Sequence, residues 1–369
     1  MSQTAKAAVF TEVGKPFSIR EYPLTPPPAG MARLSLIASG VCGTDLHIHN
    51  GKIPLTPPAV IGHEFVGRVE EIADACCCHD SHDESIQVGD AVIVDIACPC
   101  GECALCREGD DANCLHMGLT NAGNPEEAPH FYGGFGECNY SPVKNMIRIP
   151  PELDPKMVCV YACAGPTALH AFRLASQAGF DAGKTRVAVV QGLGPVGMFA
   201  AMTLSAMGIP HVVAVASSHK EDRDSLARAS GVTEVLYLND MPEEALIQKI
   251  RDLNDGIGAD LVFEASGSPQ AFVQGLHMLR NRGTYLVPGQ YSNSGAVEIP
   301  PQMITFNALH IVGSSQYSVS DVKDYLRFLQ QHPELHSLIS SLATCYPVSE
   351  INRAFDDAKA GKNIKTILI

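Results

Sequence analysis

Apolar positions in the first 160 or so residues come in short runs interrupted by turn formers. Val9-Phe10, Arg33-Leu34-Ser35-Leu36-Ile37 and Ala91-Val92-Ile93-Val94 read as strands, separated by breaks such as Pro26-Pro27-Pro28 and Pro57-Pro58. Proline fixes φ and removes a backbone donor, so such clusters end ladders rather than continue them. From about residue 165 the pattern changes. Strand-like runs at 187–191, 212–216, 260–264 and 284–287 alternate with helical patterns at 196–207, 224–230, 243–253 and 270–279. That alternation predicts βαβ units winding a parallel sheet. Two further helices, 321–331 and 349–360, and a strand at 365–368 complete the pattern.

Composition narrows the class. The chain has 369 residues, 46% hydrophobic and 18% charged, enough for about two domains with their own cores. Lys and Arg total 26 against 40 Asp and Glu, a net charge of −14, which excludes a phosphate-backbone partner; nucleic-acid binders present a basic face. No run approaches the ~18 apolar residues of a membrane span, and the first residues carry no signal-peptide core. The expected compartment is the cytoplasm, with no membrane partner.

Thirteen cysteines in such a chain point to metal or catalysis rather than disulfides. Cys100, Cys103, Cys106 and Cys114 form C-x2-C-x2-C-x7-C, opened by Pro99 and punctuated by Gly101 and Gly109. Two-residue gaps let neighbouring thiolates turn onto one tetrahedral Zn²⁺, and four thiolates leave no corner for substrate, so this site is structural. Using the nearby Cys98 would break the regular gaps. Val41-Cys42-Gly43-Thr44-Asp45 and Gly62-His63-Glu64 offer one thiolate and one imidazole, and Cys163 could supply a third ligand. Three protein ligands leave one open position, the catalytic arrangement for zinc. Spacing alone does not show that these three converge. The segment 75–85, with Cys76, Cys77, Cys78, His79 and His82, reads as a polar surface loop rather than a soft-metal site.

The strand at 187–191 runs into Gly192-Leu193-Gly194-Pro195-Val196-Gly197 and then an apolar helix. In this order the glycines serve a tight turn, backbone approach to a pyrophosphate and close helix–sheet packing, with the helix N-terminus facing the phosphates. The next strand ends in Ser217-Ser218-His219-Lys220, followed by Arg223, where an NAD site usually carries Asp or Glu. Hydroxyls and cations suit a 2′-phosphate of roughly −2 charge, so NADP(H) is preferred and NAD(H) is the alternative.

Taken together, these residues resemble the zinc-dependent alcohol dehydrogenases of the medium-chain dehydrogenase/reductase superfamily, over nearly the whole chain. The resemblance implies an α/β protein. A GroES-like, mostly β catalytic domain would span 1–164 and 316–369, and a Rossmann doubly wound parallel-sheet domain 165–315. It places the catalytic zinc on Cys42, His63 and Cys163, with Glu64 as a neighbouring carboxylate, and a structural zinc on Cys100, Cys103, Cys106 and Cys114, two per chain. Thr44 matches the hydroxyl that contacts the alcohol, His47 the outer end of a proton relay, Thr167 a nicotinamide contact and Lys365 a pyrophosphate-binding cation. Gly43 replaces a basic residue found in some members. The implied reaction is hydride transfer between NADP(H) and an alcohol, aldehyde or ketone. The rival readings are an NAD-dependent polyol or amino-alcohol dehydrogenase and a non-catalytic zinc- and nucleotide-binding protein. Substrate would be lined from 46–55, 117–135 and Tyr291, a set containing His47, His49, Asn50, His116, His130 and Tyr132. These polar residues favour a functionalised or secondary alcohol. Strands such as 308–312 pair across subunits in the family, implying a homodimer or homotetramer.

Overall fold

The computed structural model describes residues 3–73, 78–80, 84–121, 123–219 and 221–369. The chain forms two compact units, Met1–Cys163 with Tyr317–Ile369, and Ala164–Gln316. Cys76, Cys77, His82 and Lys220 lie outside the described residues. Among the described residues no helix is long and apolar enough to cross a membrane.

The first unit is built on strands. Met31–Val41 is its hub, pairing antiparallel with Glu64–Ile72, Cys138–Pro142 and Lys365–Leu368. The sheet extends through Ala91–Val94 and Met146–Arg148 on one side and Ala343–Tyr346 on the other. A smaller sheet holds Ser18–Pro23, Thr4–Phe10 and Ala59–Val60. The C-terminal strand therefore lies beside residues from the first fifth of the chain, with Thr366 opposite Val41. One core of this unit gathers Phe10, Phe17, Phe135 and Phe355, the last three meeting edge-on, with Phe17 4.7 Å from Phe355 between ring centroids. His49 is buried inside that cluster, 5.3 Å from the Phe17 ring, with Nε2 at 2.9 Å from the Lys15 carbonyl. It is a packing residue rather than a pocket residue. His130 is half-buried and engaged elsewhere: its ring stacks on Tyr22 and Nδ1 meets the Pro125 carbonyl at 2.9 Å. Both side chains were expected near substrate from their position in sequence; aromatic packing decides otherwise.

The second unit is a six-stranded, all-parallel sheet. Its order is Glu234–Tyr237, His211–Ala216, Val187–Gln191, Ala259–Glu264, Leu279–Val287 and His310–Gly313. Every residue of Val187–Gln191 is buried, as a strand covered by helices on both faces requires. Strand order reverses between Val187–Gln191 and Ala259–Glu264, and such switch points are where open α/β sheets take ligands, beyond the strands' C-terminal ends. The fifth strand begins at Leu279, where helical periodicity had placed the end of the preceding helix. A register shift at Ala259/Leu261 and a left-handed Arg282 (φ 61°) accommodate the early start.

Candidate active site

Cys42, the adjacent pair His63 and Glu64, and Cys163 come from three places in the first unit, yet their ligand atoms all lie within 4.8 Å of one another. Cys42 caps the short helix Gly43–His49, His63 precedes the strand Glu64–Ile72, and Cys163 ends this unit's first segment. The sequence reading missed the residue that orients two of them. Asp45, fully buried, accepts the Cys42 backbone N–H at 2.9 Å through Oδ2 and meets His63 Nδ1 at 3.2 Å through Oδ1. That fixes the ring and leaves Nε2 for the cluster, the usual arrangement behind a ligating histidine. Its sequence signal was its place three residues after Cys42, where a first-turn acid caps a helix.

Proton affinities here report crowded negative groups. The Cys163 thiol draws the Cys42 thiol well below its ordinary range. Burial pushes His63 down, but the Asp45 charge and hydrogen bond prevail and leave it well above normal. Burial raises Glu64 to about 7 despite a neighbouring ammonium. That ammonium is Lys365, whose Nζ forms a buried ion pair with Glu64 Oε2. Lys365 was expected to meet a pyrophosphate; the structure turns it inward, with 1% of its side chain exposed. Glu64 Oε1 is buried and has no protein hydrogen-bond partner. An orphaned carboxylate oxygen beside two sulfurs and an imidazole is a donor set that fits a divalent cation such as zinc.

Thr44 Oγ1 lies 3.9 Å from Cys42 Sγ. His47, one turn along the helix, is half-buried, and burial with the nearby Lys52 charge lowers its pKa. Both predicted relay residues thus share the helix that Cys42 opens.

Cys100, Cys103, Cys106 and Cys114 also fall within 4.8 Å of one another. Cys103 Sγ is 3.4 Å from Cys106 Sγ and 4.0 Å from Cys114 Sγ. Backbone N–H groups point inward: Cys103 donates to Cys100 Sγ at 3.4 Å, and Cys100 and His116 donate to Cys114 Sγ at 3.2 and 3.3 Å. Hydrogen bonds from the backbone of Cys106 and Leu115 lower Cys103 to about 6, while burial and Cys103 push Cys106 up to about 12. Four sulfurs this close cannot all ionise without a cation among them, and a tetrathiolate donor set fits zinc. Cys98 stands apart, its thiol 3.4 Å from Asn145 Oδ1.

In the second unit, Gly192 turns at φ 94° after the first strand, and Gly194 caps the helix Pro195–Ala206. A Cβ on Gly197 would collide with the Gly192 carbonyl, so close packing of turn and helix demands glycine there. Gly192, Ser217, Ser218 and Arg223 line one cavity of about 500 Å³ beyond the sheet's C-terminal edge. Pro195 and Val196 form the helix's first turn, and Thr167 lies in the first turn of Ala164–Gln177. Asp224 and Tyr237 also line the cavity and went unremarked in the sequence. The Tyr237 hydroxyl donates to Asp224 Oδ1, and His219 bridges toward Asp224 at 3.6 Å and Asp240 at 2.6 Å. A carboxylate therefore does stand at this end of the site, delivered by the following helix rather than by the strand end.

Comparison with known proteins accords with this geometry. The model of the alcohol dehydrogenase GroES-like domain matches residues 28–151, and that of the zinc-binding dehydrogenase domain matches residues 195–331. The chain is 27% identical over 369 residues to 5-exo-hydroxycamphor dehydrogenase of Pseudomonas putida, covering 99% of each. It is 27% identical to a sorbitol dehydrogenase of Halalkalibacterium halodurans, covering 98% of each. A solved alcohol dehydrogenase of Thermotoga maritima superposes with a TM-score of 0.91 at 25% identity, covering 99% of both chains. The chain belongs to the zinc-dependent alcohol dehydrogenases of the medium-chain dehydrogenase/reductase superfamily. Its first unit is the GroES-like domain and its second the Rossmann-like domain, and it is an alcohol or polyol dehydrogenase.

Proposed function

We propose that the protein is an NADP(H)-preferring, zinc-dependent dehydrogenase interconverting a functionalised or secondary alcohol with its ketone or aldehyde. The convergence of Cys42, His63 and Cys163 around an orphaned Glu64 oxygen carries this reading. Zinc supplies Lewis acidity toward the substrate oxygen and the nicotinamide exchanges hydride; the rest is work for the chain. Cys42, His63 and Cys163 hold the metal, with two thiolates balancing its charge, and Asp45 fixes His63. Thr44 Oγ1 would accept the substrate hydroxyl proton while releasing its own toward His47, and so stay neutral. His47, kept neutral at pH 7 by its lowered pKa, accepts that proton on the solvent side. The second zinc is held by Cys100, Cys103, Cys106 and Cys114 and braces the loop around them.

Ser217, Ser218 and Arg223 support NADP(H), because a guanidinium and hydroxyls suit a phosphate dianion. Asp224 on the same cavity supports NAD(H) as the second reading. Kinetics with both nucleotides separate them. We expect kcat/KM to favour NADPH, and Arg223→Ala to reduce that ratio by about tenfold, one lost charge-assisted contact. A strong NADH preference in the wild type would reverse the assignment. The substrate class accords with relatives named for hydroxycamphor and sorbitol, and a nucleotide-linked screen of alcohols and ketones with metal analysis tests it. Cytoplasmic, homo-oligomeric operation completes the proposal. Phe306, 80% exposed, and Ile311 on the edge strand His310–Gly313 support subunit contact there, and light scattering of the purified protein would measure its mass.

A further inference from the structure

The second unit has another cavity, at the opposite end of its sheet from the glycine-rich turn. It measures about 310 Å³ and lies where the chain enters the strands, between the turn carrying Asp181, Lys184 and Thr185 and the starts of the fourth and fifth strands. For scale, a water takes about 30 Å³ of liquid. Three cations line it, Lys184, Arg280 and Arg282, with two carboxylates, Asp181 and Asp260.

Both carboxylates are already engaged. Asp260 Oδ2 accepts the backbone N–H groups of Arg186 and Val187 at 2.9 and 3.0 Å and the Asn254 amide at 3.2 Å, while Oδ1 takes Arg280 Nε. Asp181 pairs with Lys184 at 2.7 Å and accepts the Gly183 N–H at 3.0 Å. Arg282 is different. Among the described residues its guanidinium has neither a hydrogen bond nor an ion pair. Its backbone occupies the left-handed region at φ 61°, which Gly or Asn adopts at lower cost than Arg. The chain thus accepts local strain to set an uncommitted cation on a cavity wall, in a molecule of net charge −14.

We propose that this cavity binds a phosphate monoester, anchored by Arg282. A guanidinium offers paired donors that match a tetrahedral dianion, and the Arg280 and Lys184 charges lie on the same walls. The volume exceeds what a bare phosphate fills, and Phe180 on the wall gives the organic part an apolar surface. The site is separate from the dehydrogenase cavity and stands whether or not the nucleotide assignment does.

The test is calorimetric titration of the full-length protein with inorganic phosphate, phenyl phosphate and benzoate, comparing wild type, Arg282→Asn and Arg282→Lys. Asn tolerates the left-handed backbone, so folding is retained; unchanged thermal midpoint and dehydrogenase turnover in phosphate-free buffer verify it. Wild type should bind phenyl phosphate saturably, at least fivefold tighter than either phosphate or benzoate. Arg282→Asn should weaken it at least tenfold and Arg282→Lys less. Because the glycine-rich turn also attracts phosphate, the difference between wild type and Arg282→Asn is the decisive quantity. Equal phenyl phosphate affinity in those two proteins, or no saturable binding to wild type, would overturn the proposal.

Discussion

The two thiol clusters of the first unit use similar ligands to opposite ends. Cys100, Cys103, Cys106 and Cys114 come from one loop of fifteen residues, and backbone N–H groups of the same loop point at their sulfurs. Cys42, His63 and Cys163 span 122 residues, and their cluster adds Glu64, Asp45, Thr44 and Lys365 around the sulfurs. A local cluster of identical ligands closes on itself and stiffens what surrounds it. An assembled cluster of mixed ligands leaves room for a hydroxyl and a carboxylate, and so for chemistry. Ligand type alone does not separate the two; the distance in sequence and the company each keeps do.

Substitutions can break that contrast. The largest effect belongs to Cys163→Ser. It should lower kcat/KM by about a thousandfold or more, roughly 4 kcal/mol, and reduce zinc from two per chain toward one while leaving the circular dichroism native. Full activity in this variant would show that the third ligand is wrongly chosen. Cys106→Ser should do the reverse. We expect the thermal midpoint to fall by roughly 5–10 °C, with turnover per folded molecule largely kept at low temperature. Equal losses of activity and stability in both variants would erase the distinction. Asp45→Ala should weaken metal retention at the mixed cluster about 10–100-fold, read by chelator competition, without touching the four-cysteine loop.

The smallest effect is a pH dependence. Asp95 is buried, and burial raises its carboxyl from 3.8 to about 7. Its folded-state pKa lies above the unfolded value, so the folded protein binds the extra proton between those limits. The contribution of this group to stability is full below pH 4 and is lost as pH rises through 7. Asp95→Asn removes that loss. Its thermal midpoint should gain on wild type by roughly 2–4 °C between pH 5 and pH 8, and a gap that is constant with pH would contradict the assignment.

What the chain discloses before folding divides along the same line as the two clusters. The four-cysteine loop and the glycine-rich turn are local patterns, and the structure places their residues together as short spacing demands. The parallel sheet is equally legible, because strands buried on both faces read as continuous apolar runs such as Val187-Ala188-Val189-Val190. Less legible are partners brought together by tertiary pairing. Lys365 meets Glu64 across 301 positions because the last strand pairs with Met31–Val41. His49 sits two residues beyond His47 on one helix, yet the helix turns it into a phenylalanine cluster. Asp224 reaches the nucleotide cavity from a helix, where attention to the strand end misses it.

The antiparallel pairing of Lys365–Leu368 with Met31–Val41 has a consequence for biosynthesis. A nascent chain displays Glu64 long before Lys365, the cation that neutralises it, which lies 301 positions further on. During that interval the carboxylate lacks its counter-ion and Met31–Val41 lacks one of its neighbours. The surroundings of the mixed cluster are therefore completed late in synthesis, whereas the four-cysteine loop is complete once residue 114 has emerged.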